Sequence, residues 1–257
     1  MATRLGSQSV YALLVEDDPF MRSAVADFLA EEMGMEVTQA ATYREANQAL
    51  TTSQSMYQLA LVDVSLPRVH VDEPRRASWG LQLIQDIKKI NARCGVVLWS
   101  AYTHFLPKLM QLVARGYQGL AYIPKGVRTQ ILRTAIHRVM EGDVYLHRSV
   151  VEQEQTNLEE ILLSSLDPEV ARLVVEVAGR FNELSPRQME VVRHITRTPT
   201  AIAEELGLEV RTVRNYQDAI YERLGLRDPL LQAQHIRRDP IIILALILHR
   251  LQQPDAS

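Results

Sequence analysis

Leu59-Ala60-Leu61-Val62-Asp63-Val64-Ser65-Leu66-Pro67 decides the fold. A short apolar run stops abruptly at a carboxylate and is followed by a proline. That is the pattern of a buried parallel strand delivering one acid to a sheet edge. Alone, Asp63 would do no more than cap the next turn. Its context says more. Tyr11-Ala12-Leu13-Leu14-Val15 is a second apolar strand and ends in Glu16-Asp17-Asp18. A later strand ends in Ser100, and another runs into Lys125. Parallel strands present their C-terminal ends on one edge, where open α/β sheets place their sites. The acids, a hydroxyl and an ammonium are therefore expected to meet in one pocket.

Outward from this strand, the chain alternates strand and helix from Tyr11 to about Glu141. Asp18-Pro19 supplies an N-cap and a proline at the first helical position, opening a helix to about Met33. Glu36 to Ala41 is a second strand, and Thr42-Tyr43-Arg44-Glu45 has capping-box spacing. After the Asp63 strand come a helix from Trp79 to Ile90 and a strand from Gly95 to Ser100. A helix from Phe105 to Arg115, a strand from Leu120 to Pro124 and a helix from Arg128 to Met140 complete the series. Five βα units predict a doubly wound five-stranded parallel sheet over residues 1–145. Residues 146–183 read as a helical linker. From Leu184 the chain has the texture of short helices only, so 184–257 is expected to be an all-α domain.

The 257 residues allow one large or two ordinary domains, and 47% hydrophobic content with a net charge of −3 describes a globular, neither disordered nor strongly basic, protein. Cys94 is the only cysteine, which excludes a disulfide framework and fits a reducing cytoplasm. The first nine residues lack the apolar core of a signal peptide. The longest apolar run, Ile241 to Leu248, is too short to span a bilayer. A cytoplasmic location without membrane contact is the expectation. The seven histidines show no ligand spacing.

Acids converging on one strand edge repel one another unless a cation sits among them, and an oxygen-only ligand set with water suits Mg²⁺. An Asp so placed can act as a nucleophile toward a phosphoryl group whose charge Mg²⁺ and a lysine neutralise. Residues 11–141 resemble the receiver domain of bacterial two-component response regulators. In that resemblance Glu16 and Asp17 match the acidic pair, Asp63 the phosphoacceptor and the Ser65 carbonyl the backbone metal ligand. Ser100 matches the switch hydroxyl, Tyr122 the switch aromatic and Lys125 the lysine after strand five. The resemblance implies a phosphoacceptor switch rather than a metabolic enzyme, with at most self-catalysed phosphorylation and dephosphorylation. Asp63 would take a phosphoryl group from a sensor histidine kinase, Ser100 would move toward it and Tyr122 would rotate inward. The charged insertion from Arg68 to Trp79 departs from the family pattern and lies beside the pocket. Tyr102 stands where a side chain would influence loss of the phosphoryl group.

Residues 184–226 resemble the LuxR/NarL-type helix-turn-helix domain, which binds DNA. The resemblance rests on Leu184-Ser185-Pro186-Arg187-Gln188-Met189-Glu190-Val191, Ile202-Ala203-Glu204-Glu205-Leu206-Gly207, Thr212-Val213-Arg214-Asn215-Tyr216 and Ile220-Tyr221-Glu222-Arg223-Leu224-Gly225. Ile202, Ala203, Leu206, Leu208 and Val213 would form the seam, with Gly207 in the left-handed turn conformation. Arg211, Thr212, Arg214, Asn215 and Asp218 are the candidate DNA contacts. Arginine reads guanine and asparagine reads adenine in the major groove. Three features depart from the pattern: Asp218 places an acid on the groove-facing stripe, Glu209 stands where a serine commonly caps, and the 195–202 loop is short. Eight arginines and no lysine against seven acids from Arg180 to Arg227 leave a thin positive footprint. Ile241 to Leu248 is apolar on every face and must be buried, against its own domain or, as the favoured expectation, in a homodimer.

The leading expectation is a phosphorylation-controlled transcription factor binding double-stranded DNA. One alternative is a response regulator whose C-terminal domain binds a protein; another is an atypical regulator that works without phosphorylation. An aspartate phosphatase would need a second acid two residues after Asp63, and that residue is Ser65.

Overall fold

The computed structural model describes residues 9–52, 57–72, 74, 77–101, 105–147, 149, 158–227 and 238–252. Its contacts gather into two units, residues 1–102 with 119–141, and residues 103–118 with 142–257.

The first unit holds five parallel strands, β1 (Val10–Val15), β2 (Met35–Ala40), β3 (Leu59–Asp63), β4 (Gly95–Ser100) and β5 (Leu120–Pro124), in the order β2-β1-β3-β4-β5. All five residues of β3 and all six of β4 are buried. Such near-continuous apolar runs are what burial on both faces of a parallel sheet requires. Its helices are α1 (Pro19–Asp27), α2 (Tyr43–Thr52), α3 (Ala77–Ile90) and α5 (Thr129–Met140), numbered with the helix of the second unit that lies between β4 and β5. Asp18 caps α1, its Oδ1 accepting from the amides of Phe20 and Met21. After Asp27 the helix widens into a π turn over Phe28–Glu32, a detail that periodicity does not encode. At α2 the Thr42 hydroxyl accepts from Glu45 N, while Glu45 reaches back to Ala41 N rather than to Thr42.

Register places the site. Val15 pairs with Val62, Asp63 with Trp99 and Ser100 with Pro124. Glu16, Asp63, Ser100 and Lys125 are therefore neighbours along one edge. Gly80 fixes the start of α3 against this edge. A Cβ there would stand 2.6 Å from the Asp63 carbonyl oxygen and 2.7 Å from Val64 Cα, so only glycine permits the approach.

The second unit begins with α4 (Leu106–Ala114), the helix between β4 and β5, and continues with a short strand β6 (Val144–Leu146). Then follow α6 (Leu158–Ser164), α7 (Pro168–Gly179), α8 (Pro186–Arg193), α9 (Pro199–Leu206), α10 (Val210–Arg223) and α11 (Arg238–Gln252). A contiguous 1–145 domain is the expectation of the sequence; here α4, with Leu106, Leu109, Met110, Leu112 and Val113 buried, groups with α6 and α11. The stretch expected as a linker contributes α6 and α7, both of which pack on α11.

The favoured dimer role of Ile241–Leu248 is corrected by the structure. All eight side chains are buried within the chain, Ile247 being the most exposed at 9%. The physical reason is the partner face. α7 turns Val174, Val177 and Ala178 inward, and α11 packs on it as well as on α4. No apolar face of this run is left for a second copy.

Within the same unit, Ser185 and Gln188 complete the expected capping box of α8, and Thr198 caps α9 through Ala201 N. Gly207 ends α9 at φ 62°, the left-handed conformation expected of it. α10 follows after two residues and packs on both α8 and α9. Ile202, Ala203 and Val213 are buried in the seam, and Leu206 and Leu208 are half-buried. Among the described residues no helix is long and apolar enough to cross a membrane.

Candidate functional site

β1 ends in Glu16 and Asp17 and β3 ends in Asp63; all three are buried, at 0%, 3% and 4% exposure. One carboxylate oxygen of each lies within 4.8 Å of those of the other two. Lys125 extends from the end of β5 into this group. Its Nζ donates to Asp63 Oδ2 at 2.7 Å and to Glu16 Oε1 at 2.9 Å, and stands 2.8 Å from Glu16 Oε2. Asp63 Oδ1 accepts from Ser65 N at 2.9 Å, and Glu16 Oε1 accepts from Asp18 N at 3.2 Å. Ser65 thus enters the site through its amide.

The electrostatics follow from burial. Loss of solvent pushes the Asp63 carboxyl above its ordinary value and the charge of Asp17 adds to this, against the pull of Lys125 and the Ser65 amide. Glu16 is raised for the same first reason, with Asp63 as its like-charged neighbour. Burial would lower the Lys125 ammonium, but its bonds to Asp63 and Glu16 outweigh this and raise it. Three carboxylates around one ammonium leave an excess of negative charge in a desolvated pocket. A hard divalent cation bound by oxygens relieves that excess, and the donor set fits Mg²⁺.

Ser100 is 2% and Tyr122 1% exposed, and both belong to this edge. Lys125 N donates to the Ser100 carbonyl at 2.9 Å, which couples the two residues through the backbone. Tyr122 pairs with Leu98 in the sheet and is buried. Tyr102 lies outside the described residues.

Two residues escaped the sequence reading. Arg22 Nη1 donates to the carbonyls of Glu16, at 2.6 Å, and Asp17, at 3.3 Å, pinning the acidic pair from α1. Its position four residues after the cap Asp18 is the signal available. Trp99 lies under Lys125, with Nζ 5.6 Å from the ring centroid, and nothing in a buried strand pattern announces that contact.

In the second unit Arg211, Arg214, Asn215 and Asp218 are exposed on α10, and Thr212 is half-exposed. Asp218 Oδ1 stands 3.1 Å from Arg227 Nη2, and Glu222 is 3.8 Å from the same guanidinium. Glu209 precedes α10 without a side-chain cap bond, as its departure from serine implies.

The family model described as the response regulator receiver domain matches residues 12–137. No curated protein matches the chain. A LuxR family DNA-binding response regulator from Silicibacter pomeroyi is similar in structure, with 23% identity, 55% of this chain and 98% of its own covered, and a TM-score of 0.41. Response regulator TrrA from Thermotoga maritima, solved in complex with Mg(2+)-BeF, is 22% identical over 51% of this chain and 98% of its own, at 0.40. The two-component response regulator RcsB in its DNA complex is 16% identical over 94% of this chain and 99% of its own, at 0.44. These are loose likenesses and bear no functional argument.

Proposed function

Residues 12–137 being a response regulator receiver domain, we propose that the chain is a phosphorylation-controlled DNA-binding regulator of the cytoplasm. The observation that carries the reading is the set of buried carboxylates Glu16, Asp17 and Asp63, with Lys125 Nζ 2.7 Å from Asp63 Oδ2.

Glu16, Asp17, Asp63 and the Ser65 carbonyl would hold Mg²⁺, which when bound neutralises charge on the phosphoryl oxygens. An Asp63 carboxylate oxygen attacks the phosphorus of a phosphohistidine on a sensor kinase. The P–N bond breaks, the imidazole nitrogen takes back the electron pair, and a P–O bond to Asp63 forms. Lys125 releases Asp63 Oδ2 and bonds a phosphoryl oxygen, while the Ser100 hydroxyl donates to another. Because Lys125 N bonds the Ser100 carbonyl, the two respond together. Attack by water on the phosphorus returns Asp63, so the chain is a phosphoacceptor with at most self-catalysed turnover and not an enzyme acting on other substrates.

The output is a helix-turn-helix, α9 and α10 joined through Gly207. α10 would enter the major groove with Arg211, Thr212, Arg214 and Asn215 toward DNA, as a homodimer on a two-fold site. Support comes from the exposure of this stripe and from Arg227, which offsets the acid of Asp218. A second reading, that this domain binds a protein, draws on the same Asp218, Glu222 and Arg227 cluster, whose two acids outweigh its one arginine where phosphate contacts would want positive charge.

The test of the phosphoacceptor is incubation with phosphoramidate and Mg²⁺ followed by intact-mass analysis. One added phosphoryl group, lost in Asp63→Asn and in the absence of Mg²⁺, supports the reading. No addition to the wild-type chain contradicts it.

A further inference from the structure

The insertion that begins at Arg68 has no role in the phosphoryl chemistry above, yet the fold anchors both of its ends. At its start the carbonyls of Pro67 and Arg68 accept from the first amides of α2, Tyr43 N at 3.1 Å and Arg44 N at 2.9 Å. At its end Trp79 precedes Gly80, which rests on the backbone of Asp63 and Val64. Side chains at these anchors form a stack with α2. The Arg68 guanidinium lies 4.8 Å from the Trp79 ring centroid, and the Trp79 and Tyr43 rings are 5.2 Å apart, tilted by 37°. Tyr43 is locked in turn, its hydroxyl donating to Asp86 Oδ2 at 2.9 Å.

Beside the stack opens a cavity of about 630 Å³, within the usual range for small-molecule sites. Tyr43, Arg44, Asn47, Gln48, Thr51 and Arg68 line it, and the lining contains no carboxylate. The one acid on the near turn of α2, Glu45, is spent on Ala41 N. Arg44 and Arg68 form no ion pair among the described residues. Stacking on Trp79 orients the Arg68 guanidinium while leaving its N–H donors to a ligand. Guanidinium forks match phosphate oxygens in pairs, and the amides of Asn47 and Gln48 can both donate and accept.

We propose that the cavity between α2 and the Arg68–Trp79 insertion binds a nucleotide-sized phosphorylated small molecule, its phosphate on Arg44 and Arg68 and its organic part along Tyr43, Asn47 and Gln48. Because Arg68 follows β3 by five residues and Gly80 rests on the backbone of Asp63 and Val64, occupancy of the cavity stiffens the loop after β3.

The test is isothermal titration of the full chain, in buffer with chelator and no divalent metal, against AMP, GMP, ADP, GDP and inorganic phosphate. Omitting metal keeps the carboxylate pocket from contributing, and Asp63→Asn serves as its control. The expected result is saturable binding of at least one nucleotide, unchanged in Asp63→Asn and at least tenfold weaker in Arg44→Ala/Arg68→Ala. Inorganic phosphate binds at least tenfold more weakly than that nucleotide. Arg68→Lys, which keeps the charge and loses the fork, falls between wild type and the double variant. No saturation by any nucleotide at millimolar concentration overturns the proposal, as does equal binding by wild type and a folded double variant. Phosphate as tight as the nucleotide overturns the nucleotide-sized occupant. Loss of nucleotide binding in Asp63→Asn overturns the location, and none of these outcomes depends on phosphorylation of Asp63.

Discussion

Lys125 is the residue on which the carboxylate pocket balances. Its ammonium is the only cation bonded to Asp63 or Glu16 among the described side chains, and removing one partner of a buried ion group leaves uncompensated charge. Lys125→Ala is expected to lower stability by about 2 kcal/mol, read as a fall in Tm. Mg²⁺ should restore most of the loss, because it takes over the neutralising role. A variant whose Tm ignores Mg²⁺ would show that the carboxylates do not form a metal site. Lys88 makes a contrasting case. It is 2% exposed, donates to the Cys94 carbonyl at 2.6 Å, and burial lowers its pKa to about 8 from 10.5. The unfolded chain then holds more protons between pH 8 and 10.5, so this residue makes stability rise with pH across that window. Lys88→Met should lose that rise and, because it removes the buried charge, be at least as stable as the wild type at neutral pH. Parallel denaturant titrations across the window check both.

At the scale of elements, the approach of α3 to β3 ties the insertion to the site. Gly80→Ala forces the start of α3 off the Asp63 backbone, an overpacking expected to cost about 1–3 kcal/mol. It should slow phosphorylation of Asp63 more than Phe20→Ala, a change at an exposed residue of α1. Rates from phosphoramidate with wild type as reference measure this. These elements also show how far the sequence could be read. β3 and β4 were legible because burial on both faces writes an unbroken apolar run, and Asp63 stood out as the interruption at the end of β3. Ser185, Thr198 and Gly207 were legible because caps and left-handed turns demand particular residues. Lys88 was not, since a Lys88-Lys89 pair ending a helix reads as solvated surface. The stack of Arg68, Trp79 and Tyr43 was not either, because it joins residues from two elements by side-chain geometry that no local period records.

Over the whole molecule, the contacts take α4 out of the series of βα units and group it with α6 and α11. Sequence could not show this. α4 and α11 both read as apolar helices, and which apolar faces meet depends on long-range packing rather than on local pattern. Val113 and Tyr117 share a small enclosed space with Pro240 and Ile243. A chain cut after residue 145 therefore strips α4 of α6 and α11 and exposes apolar surface. Such a truncation is expected to bind a hydrophobic dye and to melt below the full chain, whereas an autonomous receiver would melt at the same temperature. A regulator of the proposed kind couples phosphorylation of Asp63 to DNA binding by α10.

That coupling is tested most directly by selecting genomic DNA fragments with the full chain, with and without Mg²⁺ and beryllofluoride, which stands in for the phosphoryl group on Asp63. The account predicts enrichment of related sites that rises with the mimic, stays flat in Asp63→Asn and disappears in Arg214→Ala. Equal enrichment with and without the mimic would contradict control by phosphorylation, and no enrichment in either would contradict DNA as the partner of α10.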